Sequence, residues 1–331
     1  MDHMHSIGLT FALIVAGTVT GASLGAQSSR DQALDALRSP DVERRREALQ
    51  QISRAGFPDA AGAVAALAAD PDDTIQLAAL DTLITLLVSD PAQAGGGPRG
   101  AFEAGLEPAR PVPSGAYEAV AAAMSDTHAQ VRLHAAYTFA ILATSKQGLV
   151  SDSAVVAARG ALGEMLADSA HDVRLAAIGV AARVFRSSPH GPPPVPSPLP
   201  EPLIEGLIAA MNQSDLREQT AAMQALGHAR ETRALEALTE RFSFHRAQGP
   251  RELAVAALDA LARLAHPASS DMVRALASDP WAANGDPYTA VLFARERLLH
   301  DGSSETLKKV ASDRRLGARA RDYLAELGLV P

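Results

Sequence analysis

Three copies of one motif carry an Asp followed six residues later by a side chain that donates to carboxylates: Asp70 and Gln76, Asp126 and Arg132, Asp168 and Arg174. A catalytic acid would require one of these Asp residues to be left in a cleft without its Arg. Otherwise Asp caps a helix amino terminus and the Arg fork satisfies carboxylates, which is structural chemistry. We read all six residues as structural. His128 and His171, with the nearby Asp126, Asp168 and Asp172, lie at equivalent turns of adjacent copies, where a metal site would have to be assembled across repeats. Their spacing matches no known ligand motif, and no metal is expected. The sequence contains 0 Cys, which removes disulfides, thiolate zinc sites and Cys nucleophiles. It also lacks a Gly-x-x-x-x-Gly-Lys phosphate loop and a His-Glu-x-x-His pair. No catalytic residue and no cofactor is assigned, and the chain is read as a non-enzyme.

The elements that must position these residues are helices. Hydrophobic residues make up 47% of the 331 and charged residues 21%, so most of the chain can bury a core. Aromatics reach only 4% against dense Ala and Leu, which favours closely packed helices over sandwiches or barrels. The motif itself repeats as Asp70-Pro-Asp-Asp-Thr-Ile75-Gln76-Leu-Ala-Ala79, Asp126-Thr-His-Ala-Gln-Val131-Arg132-Leu-His-Ala135, and Asp168-Ser-Ala-His-Asp-Val173-Arg174-Leu-Ala-Ala177. In each, Asp stands five residues before an apolar anchor and Ala follows the anchor by four. One helical face therefore carries the anchor and, a turn later, a small residue that admits a close neighbour. Looser copies begin at Asp215 and Arg251.

This signature resembles that of the HEAT-repeat family, whose units are paired antiparallel helices with an Asp-Pro-x-x-x-Val-Arg-x-x-Ala-Ala-like start to the second helix. The resemblance covers roughly residues 30 to 327. It implies an all-α fold, an α-α superhelix of about eight helix pairs. The expected pairs are 30–38 with 41–55, 59–69 with 73–88, 115–124 with 128–144, 151–167 with 171–186, 201–212 with 215–228, 231–243 with 250–265, 268–277 with 286–300, and 303–312 with 315–327. It also implies that Asp70, Gln76, Asp126, Arg132, Asp168 and Arg174 form a hydrogen-bond ladder between neighbouring units, and that second helices line a surface for a protein partner. Helical-repeat DNA glycosylases and chromophore lyases are the catalytic alternatives. Trp281 and Tyr288 are the aromatics that would serve the former.

Residues 1–26 are expected to be a signal peptide. The uncharged apolar run from Ile7 to Val19 leads into small residues that suit cleavage after Ala22 or Ala26, although the start lacks the usual Lys or Arg. Residues 27–331 then form the solenoid, placed outside the cytoplasm and free of the membrane once the signal is removed. Arg far outnumbers Lys and Ala is abundant, which fits a GC-rich bacterial coding bias. Flexible insertions are expected at 90–114, with Gly95-Gly96-Gly97-Pro98, and at 187–202, which is Pro-rich. The second is read as an extended spacer. A formal charge of −8 gives no overall attraction to nucleic acid. The basic clusters Arg44-Arg45-Arg46, Lys308-Lys309 and Arg314-Arg315 are read as solvated helix faces. The function expected is an exported protein-binding scaffold with an unidentified protein partner; a self-associating envelope component is the alternative.

Overall fold

The computed structural model describes residues 27–90, 97–144, 152–185, 199–264, 266–269 and 317–326, together with a few isolated positions. The expected signal peptide, residues 187–198 of the Pro-rich stretch, Trp281, Tyr288 and most of the last two expected helix pairs lie outside these.

Among the described residues the chain is all-α, and no helix is long and apolar enough to cross a membrane. Helix α1 covers 27–36 and is followed by α2 (Val42–Ala55), α3 (Ala61–Ala66) and α4 (Asp73–Leu87). Then come α5 (Pro98–Glu103), α6 (Ala116–Ala123), α7 (Ala129–Leu142), α8 (Asp152–Leu166) and α9 (His171–Val184). The series continues with α10 (Glu201–Ala210), α11 (Leu216–His228), α12 (Leu235–Gln248) and α13 (Arg251–Leu264), and α14 (Gly317–Glu326) lies near the carboxyl end. Successive helices pair as α3/α4, α6/α7, α8/α9, α10/α11 and α12/α13. The second helices stack α2 on α4, then α7, α9, α11 and α13, while the first helices stack α3, α6, α8 and α10. The result is a two-layer α-solenoid.

Asp residues start the second helices in two ways. Asp41, Asp72 and Asp215 cap α2, α4 and α11, their side chains accepting from Glu43 N, from Thr74 N and Ile75 N, and from Arg217 N and Glu218 N. Asp126 and Asp168 stand two residues further out and accept the N–H of the cap residues His128 and Ala170, each at 2.8 Å. The anchors Ile75, Val131 and Val173 are 0 to 2% exposed, as are Ala79, Ala135 and Ala177 a turn later, so the repeated face is the packed one. Gly227 in α11 is an extreme case of this packing. A Cβ there would come 2.7 Å from Ala260 Cα on α13 and 3.0 Å from its Cβ. A helical Gly→Ala change ordinarily gains up to about 1 kcal/mol. Gly227→Ala is nevertheless expected to lower the urea midpoint, with a net loss of roughly 1–3 kcal/mol from overpacking; a higher midpoint would show that α11 and α13 separate freely.

The segment between α4 and α6 departs from the expected flexible insertion. From Gly97 onward it is a packed strap containing α5, and Val88 makes an isolated bridge with Pro108. The Pro and Gly residues punctuate its start without preventing a helix. Pro98 occupies the first turn, where the missing N–H has no partner to lose, and Gly97 takes φ 100°, which suits glycine. Ala101, Phe102 and Leu106 then pack on Ile84, Val88 and Ile141 as a small second core. This explains why α7 buries residues around most of its circumference, including Val131, Leu133, Tyr137 and Ile141. One side meets the solenoid core and the other meets the strap.

Candidate functional site

The six ladder residues are distributed over consecutive second-helix starts. Asp70 and Gln76 belong to α4, Asp126 and Arg132 to α7, Asp168 and Arg174 to α9. Contacts run mostly between units. Gln76 Nε2 donates to Asp126 Oδ2 at 2.9 Å, and Arg132 Nε donates to Asp168 Oδ2 at 2.8 Å. Within a unit the donor reaches back only to backbone: Arg132 Nη1 to Asp126 O at 2.8 Å and Arg174 Nη1 to Asp168 O at 2.7 Å. The Asp and Arg of one motif copy are therefore not side-chain partners. The rung that meets Asp70 comes from Arg45, which is buried between units rather than on the solvated face expected for Arg44-Arg45-Arg46. Arg45 Nη2 donates to Asp70 Oδ1 at 2.9 Å, and the two side chains are 8% and 4% exposed. The missed signal is Ser39, six residues before Arg45. Ser39 Oγ accepts from Asp41 N at 3.2 Å, the same role that Asp126 plays towards His128. Of the neighbours, Arg46 pairs with Glu43 at 2.7 Å.

Burial alone would raise the Asp126 pKa, but the His128 N–H and the Gln76 amide outweigh it and hold the carboxyl below its ordinary 3.8. A lowered folded value means that this contribution to stability is complete above the unfolded value and is lost as the pH falls from near 3.8 through the folded one. Urea midpoints across that interval are expected to fall less steeply for Asp126→Asn than for the wild type. Identical slopes would remove Asp126 from the acid response.

The strap crosses the second-helix layer. Arg183 of α9 donates from Nη1 to Phe102 O at 2.9 Å and from Nη2 to Leu106 O at 2.7 Å. Its guanidinium lies 5.1 Å from the Phe102 ring centroid, and Phe102 in turn lies 5.0 Å from the Tyr137 ring on α7. Burial pushes the Tyr137 phenol above its ordinary value. Arg110 donates to Leu86 O and fixes the far end of the strap.

His128 and His171 are not brought together. His128 lies 3.7 Å from Asp73 of the preceding pair and 3.4 Å from Asp126, whereas His171 points forward to Glu218 at 3.2 Å. No group of acidic and His residues among those described could hold a metal. A cavity of about 430 Å³ opens between the α8/α9 and α10/α11 pairs. Leu166, Ile178 and Ala209 give it apolar walls, and Arg174, Glu205, Gln213 and Glu218 give it polar groups.

No family model matches the chain, and no curated protein matches it either. Among solved structures it is similar to an engineered protein at 19% identity and TM-score 0.48, covering 71% of this chain and 96% of that one. A second engineered protein gives 17% identity and TM-score 0.49, with 91% of this chain and 69% of that one covered. The Escherichia coli protein YibA gives 11% identity and TM-score 0.32, with 82% and 95% covered.

Proposed function

We propose that this chain is a HEAT-like, exported, non-catalytic scaffold that docks a protein partner on the face of its second helices. The observation that carries the reading is the strap. A short amphipathic helix of the chain itself, α5, already lies across α7, with one apolar cluster and a capping Arg from α9 holding it there. This is the helix-on-helical-surface mode by which solenoids accept peptides, through several shallow contacts added along the stack. The partner is a protein segment with an apolar helical face, and neither nucleic acid nor membrane is required.

The test is affinity capture from a native cell-envelope extract, comparing the wild-type chain with Asp172→Lys/Arg217→Glu/Glu252→Lys. These three substitutions reverse exposed charges on α9, α11 and α13. One protein retained by the wild type and lost by the variant is the expected result; equal recovery by both would remove this face from the proposal. If nothing is retained at low salt, concentration-dependent light scattering decides whether the chain instead binds copies of itself.

A further inference from the structure

The repeat opening at Asp215 differs from the α4, α7 and α9 repeats at two positions, and both differences face the cavity between the α8/α9 and α10/α11 pairs. Where the earlier units carry Asp70, Asp126 and Asp168, this one carries Gln213, which is exposed. Where they carry the anchors Ile75, Val131 and Val173, it carries Glu218.

The first difference leaves Arg174 without the partner its equivalents have. Arg45 and Arg132 direct their forward edges onto Asp70 and Asp168. Arg174 keeps its backward bonds, from Nη1 to Asp168 O at 2.7 Å and to Ser169 O at 3.1 Å, but none of its bonds or ion pairs reaches a carboxylate. The second difference buries a charge. The Glu218 side chain is 6% exposed, and its Oε1 accepts no hydrogen bond. His171 Nδ1, 3.2 Å away, is close but misaligned. A carboxylate in place of a core Val opposes folding unless something compensates it. Two rule-breaking positions that converge on one cavity are the pattern of a functional site rather than of packing.

The cavity has the size of a small-ligand site, about 430 Å³. Its room depends on Gly206, where a Cβ would stand 2.8 Å from Leu166 Cδ1. The walls are mostly apolar, from Leu166, Ile178 and Ala209, and the ionisable groups among them are Arg174, the buried Glu218 and the exposed Glu205.

We infer that this cavity binds a free aliphatic α-amino acid. The ligand carboxylate takes the forward edge of Arg174, as the Asp70 and Asp168 carboxylates take Arg45 and Arg132. The ligand ammonium faces Glu218, and the aliphatic chain lies against Leu166 and Ile178. This goes beyond the scaffold reading and does not depend on it, because neither the strap nor a partner takes part.

The test is isothermal titration of the full chain with L-leucine, L-leucinamide and N-acetyl-L-leucine. Leucine is expected to bind saturably at one site. Leucinamide, lacking the carboxylate, and N-acetyl-leucine, lacking the ammonium, are each expected to bind at least about tenfold more weakly. Arg174→Gln is expected to lose leucine by a similar factor while keeping its helical circular dichroism. Glu218→Val restores the apolar anchor of the α4, α7 and α9 units, so it is expected to lose leucine and to melt at a higher temperature than the wild type. The inference is overturned by the absence of saturable heat with leucine, by equal affinity for either derivative, by unchanged affinity in Arg174→Gln, or by a lower melting temperature in Glu218→Val.

Discussion

Arg45→Ala is expected to lower stability by about 3–5 kcal/mol, because it removes one member of a buried ion pair and strands the other. Asp70 is then left at 4% side-chain exposure with only the Asp72 N–H, 2.9 Å away, donating to it. In a solenoid the loss acts where α2 meets α4, so the first sign is expected to be detachment of the amino-terminal helices ahead of the rest. Urea unfolding followed by circular dichroism gives the magnitude, and hydrogen exchange in α2 gives the location. The double variant Arg45→Met/Asp70→Leu is expected to recover much of the deficit, because an apolar pair carries no desolvation penalty. A single-variant loss below about 1 kcal/mol would mean that water reaches this pair and that it acts as a surface bridge.

Arg183→Ala is expected to release the strap while leaving the solenoid folded. Its guanidinium donates to Phe102 O and Leu106 O and covers the Phe102 ring. Hydrogen bonds to charged groups contribute about 1.5–3 kcal/mol each. Removing two of them is therefore expected to speed exchange of the strap amides on the order of 100-fold, allowing for partial compensation by water. The amides to follow are Ala101, Ala104 and Leu106, which donate to Gly97 O, Gly100 O and Ala101 O. Exchange in α9 and α11 is expected to stay within a few-fold of the wild type, since the solenoid core there is continuous without the strap. Unchanged strap exchange would place its anchorage in the apolar cluster alone. Under the scaffold proposal the released variant also exposes Ile84, Val88 and Ile141, so partner capture is expected to rise.

The architecture was legible in the sequence because its signals are local. Asp41, Asp72 and Asp215 announce helix starts through bonds spanning two or three residues. Ile75, Val131 and Val173 announce the buried face through a spacing that one helical turn sets. The ladder was legible as a repeated offset, but its pairing was not: Arg132 lies six residues from Asp126 yet reaches Asp168, 36 residues away. Arg45 escaped notice because its neighbours Arg44 and Arg46 make it look like part of a charged face, and only its stacking against the next unit buries it.

The strap shows the same limit. Glycine and proline at residues 95–98 correctly mark a break in the repeat, but they say nothing of Ala101 and Phe102, whose apolar partners lie on α4 and α7. Glu218 reads in the sequence as an ordinary polar residue in a loose repeat. Its significance comes from its burial in the wall of a cavity that Arg174 of the preceding unit also lines.

By itself, then, the sequence determined the five helix pairs from α3/α4 to α12/α13 and the face that α4, α7 and α9 turn to the core, because caps and periodicity act within a turn or two of the chain. Tertiary structure alone decided which carboxylate meets which donor, where the strap lies and where the ladder breaks. Those depend on contacts between residues tens of positions apart, and their energies exist only after the repeats have stacked and water has left the interface.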